Sequence, residues 1–281
     1  MRLLYEKIKT AILKRSKHKP QKSYEAWLAK GYDDTPEVTV VIQSHNKSVQ
    51  VCHILPKLRS WGKALEIIVI DDGSSPEHTA RLAKALTGAN EFLLRANDLY
   101  ENRTYDRAIR MANGRYIALL QDDDDFKDTG WIDKAIELFG QHPQMVILGG
   151  KWGLTVSFDA ATQSGCGKRQ DMGGATFRFV DAVNRAPMWI RKDLYEQHLH
   201  RIDFRLAPFQ YDDDELCLRS WLCGLQVGWY DAGFFSLSAG GMRLWNSAFT
   251  NQQMERNGKL LYQQYADKLA DIKERVAKSN G

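Results

Sequence analysis

The sequence lacks long hydrophobic runs and contains few cysteines. No apolar stretch approaches the roughly 18 to 20 residues that a membrane-spanning helix needs. The four cysteines of the 281-residue chain show no paired spacing typical of a metal site, so we expect reduced packing residues of an intracellular protein. The first 22 residues carry too many charges for a secretory signal. These absences predict a cytoplasmic location.

Two glycine-rich nucleotide-binding motifs are also missing. The predicted first strand is not followed by Gly-x-Gly-x-x-Gly, which argues against a dinucleotide-binding dehydrogenase. The pattern Gly-x-x-x-x-Gly-Lys-Ser/Thr is absent, which argues against a P-loop enzyme. The net charge of +4 is mild and does not indicate a nucleic-acid partner.

That charge is unevenly distributed along the chain. Residues 1–22 contain eight Lys or Arg residues and a single acidic residue, Glu6. Four apolar residues fall at helical spacing there: Leu4, Ile8, Ala11 and Ile12. Two interpretations stay open, a basic amphipathic helix on the inner face of an anionic membrane and a solvated, partly disordered tail. Pro20 and the polar residues after it predict a linker, so residues 1–35 form a basic N-terminal helical extension and linker.

The rest of the chain is apolar enough, at 43% hydrophobic and 11% aromatic residues overall, to bury a core. Five apolar runs predict strands, at residues 38–42, 67–70, 92–94, 116–120 and 145–148. Helical spacing lies between them, with Ser75 and Pro76 starting one helix and Gly114 and Gly140 ending two others. This alternation predicts an α/β fold with right-handed βαβ units and a Rossmann-like, mostly parallel sheet flanked by helices.

Residues 149–184 contain seven glycines, and we expect a long irregular loop of the kind that forms functional lids. Residues 187–190 predict a return to a buried element.

Three predicted strands end in polar or acidic residues. The first ends at Gln43, Ser44, His45 and Asn46, the second at Asp71 and Asp72, and the fourth at Asp122, Asp123, Asp124 and Asp125. Ligands of open α/β sheets bind at the carboxyl ends of strands. Four crowded carboxylates repel one another, and a divalent cation relieves that repulsion. An isolated acidic run would favour a solvated turn, but the buried strand before this one favours a metal site.

A second acidic cluster precedes a predicted helix. Its carboxylates are Asp212, Asp213, Asp214 and Glu215, and the helical apolar spacing begins at Leu218. We interpret Asp214 and Glu215 as complements of the helix dipole, with Glu215 pairing with Arg219 at i, i+4. Asp212 and Asp213 are instead candidate functional residues.

The order of these motifs resembles family 2 glycosyltransferases of the GT-A fold. The resemblance covers about residues 36–245 and implies one GT-A domain, with a nucleotide-binding half at 36–148 and an acceptor-binding half at 149–245. Residues 246–281 would form a C-terminal helix. The resemblance also implies a reaction, the inverting transfer of a sugar from a nucleotide-sugar donor to a hydroxyl of a glycan or lipid-linked saccharide. The expected donor is a UDP-sugar.

The resemblance also implies residue roles. The nucleotide would contact the first-strand loop, three carboxylates and one arginine, with Asp71 reading the base: Gln43, Ser44, His45, Asn46, Asp71, Arg103, Asp122 and Asp123. Asp124 would be the direct ligand of Mn²⁺ or Mg²⁺, with Asp122 beside it, so that the metal neutralises the leaving diphosphate. Asp213 would be the general base, its pKa raised by burial beside other carboxylates. Trp189 and Asp212 would line the acceptor site.

Two departures from the family pattern bear on the metal and the nucleotide loop. Many relatives carry a metal-binding His after the base motif, whereas no His follows His200 here and residues 235–241 read Phe-Ser-Leu-Ser-Ala-Gly-Gly. Metal binding would then be weaker, or completed by water and phosphate. Gln43 stands where relatives often have Pro. Two alternative functions stay open. One is a degenerate GT-A domain that binds sugar or acts as a scaffold. The other is a nucleotidyltransferase, although such an enzyme would need a glycine-rich basic loop after the first strand, which this sequence lacks.

Overall fold

A central sheet of eight strands organises the chain. The computed structural model describes residues 35–237 and 246–281, together with 4, 6–8, 25, 26, 29, 31 and 33. The strands are β1 (Val38–Ser44), β2 (Leu65–Asp72), β3 (Glu91–Ala96), β4 (Tyr116–Gln121), β5 (Asp124–Asp125), β6 (Met145–Gly149), β7 (Gly153–Asp159), β8 (Ser164–Arg169), β9 (Phe177–Phe179), β10 (Ala182–Val183), β11 (Met188–Arg191), β12 (Gln226–Tyr230) and β13 (Phe235–Ser236). The longer helices are α1 (Ser48–Arg59), α2 (Pro76–Ala85), α3 (Tyr100–Met111), α4 (Gly130–Gln141), α5 (Asp212–Leu222), α6 (Ser247–Tyr265) and α7 (Leu269–Asn280). Shorter helical turns lie at Lys192–Leu194, Tyr195–Leu199 and Phe204–Leu206. Most of the predicted extension over residues 1–35 lies outside the described residues.

The large sheet has the strand order β3-β2-β1-β4-β11-β6-β12-β9. β1, β2, β3 and β4 run parallel, as the alternation of strands and helices predicts. The antiparallel β11 lies between β4 and β6, and β6 pairs in parallel with β12. The sheet is therefore mostly parallel within one α/β domain, and the prediction of that fold class is confirmed.

Strand register brings the polar strand ends together. Ser44 pairs with Asp71, and Gln43 pairs with Gln121, so β1, β2 and β4 end side by side. These strands are buried along almost their whole length because helices cover both faces of the sheet. One edge of a rigid sheet thus carries the three sequence motifs that follow these strands.

The prediction of a loop over residues 149–184 is wrong. This stretch contains β7, β8, β9 and β10, and β10, β7 and β8 form a separate three-stranded sheet. In β7 the buried residues Leu154 and Val156 alternate with more exposed neighbours, which is the period of a half-buried strand. Glycine fits β8 because its backbone is closely packed, and a Cβ on Gly165 would lie 2.2 Å from the Ser157 carbonyl oxygen.

Three further predictions about helices need correction. Residues 246–281 form two helices, α6 and α7, rather than one. Gly140 lies inside α4 and does not end it. Gly114 lies beyond the end of α3, where its N–H donates a hydrogen bond of 2.8 Å to Thr39 Oγ1. Ser75 does occupy the N-cap position of α2 with Pro76 first in the helix, but its side chain makes no capping hydrogen bond.

Two general properties of the chain complete the fold. Within the part of the chain that the structure describes, no helix combines the length and apolarity needed to cross a membrane. All four cysteines are free, and they range from the buried Cys217 to the exposed Cys223.

Candidate active site

The acidic run after β4 holds carboxylates with different partners. Asp122 Oδ2 accepts a hydrogen bond of 2.8 Å from the His45 backbone N–H, and its Oδ1 lies 3.4 Å from the Lys47 ammonium. Burial raises the pKa of Asp122, and the Lys47 charge opposes that shift. Asp125 instead lies 2.6 Å from the Lys57 ammonium. The charge of this last carboxylate is therefore neutralised within the fold.

Asp124 is a buried carboxylate with a hydrogen-bond partner for only one of its two oxygens. Its Oδ2 accepts a hydrogen bond of 2.8 Å from the Gln121 N–H, whereas its Oδ1 is buried without a partner. Burial raises the pKa of Asp124 to about 8. A buried polar atom without a partner is unfavourable unless a ligand completes it. Asp124 Oδ1 is therefore a candidate ligand atom for a cation.

The loop after β1 is fixed by contacts to the loop after β2. The His45 ring nitrogen Nδ1 donates to the Asp72 carbonyl oxygen at 2.7 Å. Asn46, in the left-handed region at φ 56°, donates its N–H to Ser74 Oγ at 2.8 Å. Ser44 Oγ is buried without a partner beside this loop. A backbone held in this sparsely populated region is frequent at binding sites, and here it carries the expected nucleotide loop.

Asp71 does not present its carboxylate to the site, in contrast to its expected role in reading the base. The side chain is fully buried. Its two oxygens accept hydrogen bonds from the Ser74 N–H and the Thr79 hydroxyl. Asp72 is also occupied, because its oxygens accept from the backbone N–H groups of Leu99 and Tyr100 at 2.9 and 2.8 Å. Both aspartates hold the turns around the site through these hydrogen bonds.

A buried arginine ties the second acidic cluster to the first. The Arg185 guanidinium forms a salt bridge with Asp212 and a second one with Glu101 at 3.2 Å. Its Cζ lies 4.5 Å from the ring centroid of Tyr105. The Tyr105 hydroxyl donates to the carbonyl oxygen of Leu120, at the end of β4, at 2.7 Å. The start of α5 is thus fastened to the strand that carries the acidic run.

Asp213 differs from its two neighbours in being only half-buried. Its Oδ1 accepts a hydrogen bond of 3.0 Å from the Asp214 N–H. Burial raises the pKa of Asp213, the charge of Arg185 opposes that shift, and the charge of Asp212 adds to it. A carboxylate that is accessible and harder to ionise than usual is a candidate general base.

The remaining carboxylates of this cluster are structural. Asp214 Oδ2 accepts a hydrogen bond of 2.8 Å from the Gly167 N–H of β8. Glu215 pairs with Arg219 at 2.9 Å, which confirms the predicted i, i+4 pair. Asp212 is likewise buried and paired with Arg185, so its carboxylate supports the site and does not line an acceptor pocket.

Two of the expected site residues lie elsewhere. Trp189 is fully buried in β11, and its Nε1–H donates to the Tyr230 hydroxyl at 3.0 Å. It belongs to the hydrophobic core. Arg103 is exposed on α3, with its guanidinium carbon 5.8 Å from the ring centroid of Phe204.

Two lysines at the site were missed from the sequence. Lys47 lies beside Asp122. Lys151 follows β6, donates to Ser236 Oγ at 2.7 Å, and its charge opposes the rise in the pKa of Asp124. Both lysines lie just beyond the carboxyl end of a predicted strand, and that position was the available signal. The acidic residues were singled out because they occur as a run, whereas each lysine stands alone.

The residues present fit a metal only in part. No group of three or more His, Cys, Asp or Glu side chains within residues 35–237 and 246–281 has the arrangement of a complete metal site. Asp124 Oδ1 nevertheless offers one unpartnered oxygen, with Asp122 and the half-buried Asp123 beside it in the chain. Hard divalent cations take oxygen ligands, and Mg²⁺ usually combines one or two carboxylates with substrate phosphates and water. The stretch that lacks the expected His is described only to residue 237, where Leu237 N–H donates to the Asp123 carbonyl oxygen at 2.8 Å.

Comparisons with solved structures define the class of the fold. S. aureus TarS 1–349 in complex with UDP-GlcNAc is 15% identical over 75% of this chain and 61% of that chain, at a TM-score of 0.56. GalNAc-T7 with UDP, GalNAc and Mn²⁺ is 13% identical over 71% and 43%, at 0.55. Mannosyltransferase PcManGT from Pyrobaculum calidifontis, in complex with GDP-Man and Mn²⁺, is 13% identical over 98% and 85%, at 0.53. The fold is that of GT-A glycosyltransferases.

A family model also matches part of the sequence. The model of Glycosyl transferase family 2 matches residues 39–168, which span β1 to β8 and include the acidic run. This match agrees with the resemblance inferred from the motifs. No curated protein matches the chain. The chain spans about three fifths of the length of the TarS structure.

Proposed function

We propose that this chain transfers a sugar from a nucleotide-sugar donor to a hydroxyl group of a glycan or lipid-linked saccharide, with inversion at the anomeric carbon. The observation that carries this proposal is Asp124 Oδ1, a buried carboxylate oxygen without a partner at the carboxyl end of β4. The match of residues 39–168 to the model of Glycosyl transferase family 2 supports sugar transfer. UDP is the first candidate nucleotide, and GDP is the alternative because similar folds bind each of them.

The donor occupies the shared edge of β1, β2 and β4 in this proposal. The loop of Gln43, Ser44, His45 and Asn46 contacts the nucleoside, with Asp123 nearby. Asp124 and Asp122 would hold Mn²⁺ or Mg²⁺, and the cation would neutralise negative charge on the leaving diphosphate. Lys47 and Lys151 bring two further positive charges to the same acidic residues.

The acceptor approaches from the side of α5. Asp213 accepts the proton of the acceptor hydroxyl while that oxygen forms a bond to the anomeric carbon. The bond from the anomeric carbon to the diphosphate breaks on the opposite face, which inverts the configuration. Arg185 holds Asp212, and through it the first turn of α5, so that the Asp213 carboxylate stays fixed with respect to the donor.

The test replaces Asp124 with asparagine, which keeps the size of the side chain and an oxygen for the Gln121 N–H. We expect Asp124→Asn to fold with a Tm no lower than that of the wild type, because it removes no partnered charge. Calorimetry should show that Mn²⁺-dependent binding of UDP is lost, and turnover of a panel of UDP- and GDP-sugars should fall with it.

The matched control is Asp128→Asn, which removes an exposed carboxylate three positions after Asp125. Asp128 Oδ1 only accepts a hydrogen bond of 2.9 Å from the Gly130 N–H, so nucleotide binding should be retained. Equal Mn²⁺-dependent UDP binding by Asp124→Asn and the wild type would overturn the assignment of the donor site. Nucleotide binding without any sugar transfer or donor hydrolysis would instead indicate a non-catalytic sugar-binding domain.

A further inference from the structure

A positively charged aromatic patch lies next to the proposed base. Its members are Lys151, Trp152 and Arg169, which we call the tryptophan patch. The Lys151 ammonium and the Arg169 guanidinium carbon each lie 5.4 Å from the ring centroid of Trp152. Trp152 is 39% exposed, although indole rings of this size are usually well covered. Two cations thus gather on one accessible aromatic ring.

Within the described residues, the cations of this patch form no salt bridge with a carboxylate. Among the described residues, the Arg169 side chain forms no ion pair or hydrogen bond, and its guanidinium lies over the ring of Trp152. Lys151 donates to the neutral Ser236 hydroxyl. Lys168, next to Arg169 and exposed, also has no ion pair within the described residues. An aromatic ring attracts a cation without cancelling its charge, so the guanidinium donors remain available to an anion.

Contacts join the patch to the donor side of the site. Lys151 bonds to Ser236 of β13, and Ser236 pairs with Asp124 across the two-stranded sheet. Lys151 of the patch is therefore connected through Ser236 to the acidic run. The acidic run repels anions. A negatively charged group that binds in this region is therefore more stable beside the patch than beside the carboxylates.

Other contacts join the patch to the base. Arg169 lies two residues after Gly167, whose N–H donates to Asp214, the neighbour of Asp213. The Trp152 N–H donates to Asn184 Oδ1 at 2.9 Å, and the next residue, Arg185, pairs with Asp212. Both chain segments that carry the patch are thus attached to the start of α5, on the acceptor side of the proposed reaction.

We propose that the tryptophan patch binds an anionic group of the acceptor, a phosphate or a carboxylate, close to the hydroxyl that attacks the donor. This inference rests on the proposed function and adds the substrate class, an acidic saccharide. Arginine forms paired hydrogen bonds with planar or tetrahedral oxyanions, and the exposed indole offers an apolar surface to the adjoining sugar ring. A lipid-linked sugar phosphate and a uronic-acid glycan both present this chemistry.

The experiment measures binding of three small probes by ligand-observed NMR at low salt. The probes are N-acetylglucosamine 1-phosphate, glucuronic acid and neutral N-acetylglucosamine, each added to protein saturated with UDP and Mn²⁺. We expect the wild type to bind one or both acidic probes more tightly than the neutral one. Arg169→Gln should weaken acidic-probe binding by about tenfold, the usual range for a lost hydrogen bond to a charged group. Trp152→Ala should weaken it as well.

The matched control is Arg178→Gln, which removes an exposed arginine from β9 at the far edge of the large sheet. It changes the net charge equally and should bind the probes as the wild type does. Preference for the phosphate or for the carboxylate identifies the source of the anion. Equal binding of all three probes by the wild type, or equal losses in Arg169→Gln and Arg178→Gln, would overturn the inference.

The same samples separate this inference from the proposed function. UDP binding in the presence of Mn²⁺ and donor hydrolysis should be unchanged in Arg169→Gln, because Arg169 contacts none of the acidic run. If the wild type binds no nucleotide, the proposed function fails. If it binds and hydrolyses a donor but shows no preference for acidic probes, only the acidic acceptor is excluded.

Discussion

Asp212 and Asp213 are adjacent in the sequence, but their carboxylates have different surroundings. Asp212 is buried against Arg185, whereas Asp213 is half-buried and accepts one hydrogen bond from the backbone of its neighbour. Adjacent residues in the first turn of a helix point in different directions, so only one of the two can face an acceptor. We therefore expect the two substitutions to asparagine to affect different properties.

Asp213→Asn should keep donor affinity and lose turnover by about 10² to 10⁴-fold, the usual contribution of a general base. Steady-state kinetics with UDP affinity measured in parallel would check this. Asp212→Asn should instead lower the free energy of unfolding by about 3 to 5 kcal/mol, because it leaves Arg185 buried without its charge partner. A larger loss of turnover in a well-folded Asp212→Asn than in Asp213→Asn would reverse the assignment. Retention of anomeric configuration in the product would exclude a single-base mechanism.

The surroundings of Asp213 also predict a pH dependence. Burial raises the pKa of Asp213 despite the opposing charge of Arg185. A general base acts in its ionised form, so activity is present above the raised pKa and is lost as the pH falls through it. The acid limb of kcat/KM, measured with saturating Mn²⁺, should therefore lie above the value of about 3.9 for an ordinary aspartate. An acid limb at or below that value would contradict the role of Asp213.

At the scale of elements, Gly114 and Gly140 show that the same local sequence signal can occur at structurally different positions. Both follow helical apolar spacing and both predict a helix end, yet the structure uses them differently. A Cβ on Gly114 would lie 2.5 Å from the Thr39 backbone nitrogen, whereas a Cβ on Gly140 would have no atom within 4 Å. The first glycine allows the chain to pass close to β1, and the second is an ordinary position inside α4.

Gly114→Ala should lower the free energy of unfolding by about 1 to 3 kcal/mol, because the added carbon forces β1 and the chain after α3 apart. Gly140→Ala is the matched control, and it should raise stability by up to about 1 kcal/mol through helix propensity. Urea denaturation of the two variants would check both signs. A stable Gly114→Ala would show that the close approach to Thr39 is not required.

The same contrast explains which elements could be predicted from the sequence. The parallel strands β1, β2 and β4 were predictable because each is a continuous buried run, and the half-buried β3 was predictable as a short apolar run between two helices. β7 and β8 were not, since glycine is frequent in them and the reason for it, backbone packing at Gly165, is a contact between strands. β12 was also not predicted, because it is defined by contacts between strands, its pairing with β6 and β9.

Site residues also divide into those that a local sequence signal indicates and those that only contacts between distant segments reveal. The acidic run and Asp213 were found because charged residues beside a strand end or a helix start form a local signal. Arg185 was missed because its importance comes from Asp212, Glu101 and Tyr105, which lie on two other segments of the chain. Trp189 was expected in the acceptor site, and only the sheet order reveals that β11 is an interior strand.

At the scale of the whole molecule, the two sides of the proposed site come from different sheets. The acidic run follows β4 of the large sheet, whereas the tryptophan patch lies on β8 and just before β7 in the small sheet of β10, β7 and β8, which contacts α5. Arg185 follows β10 and reaches both Asp212 and Tyr105. The donor and acceptor sides are thus held by one buried charge network, which favours a fixed distance between the metal ligands and the base.

The distribution of charge over the whole chain bears on its location. Residues 1–22 contain eight of the 39 Lys and Arg residues but only one of the 35 acidic residues, so residues 23–281 carry a net charge of −3. An anionic membrane surface would therefore repel the body of the protein weakly and attract the N-terminal segment. This segment lies largely outside the described residues, so its two interpretations, membrane-bound helix and solvated tail, are separated by experiment.

Deleting residues 1–22 should abolish sedimentation with vesicles of anionic lipid and leave turnover of a soluble acceptor unchanged, since none of the proposed site residues lies in the segment. The full-length protein should sediment less as salt is added, because surface charges are screened beyond about 10 Å at about 0.1 M salt. Vesicles of neutral lipid are the control for binding through apolar residues alone. A full-length variant with glutamine in place of Lys14, Arg15, Lys17 and Lys19 removes charge without shortening the chain, and it should bind less than the wild type. Equal sedimentation of the full-length and shortened proteins would leave the solvated tail as the interpretation of residues 1–22.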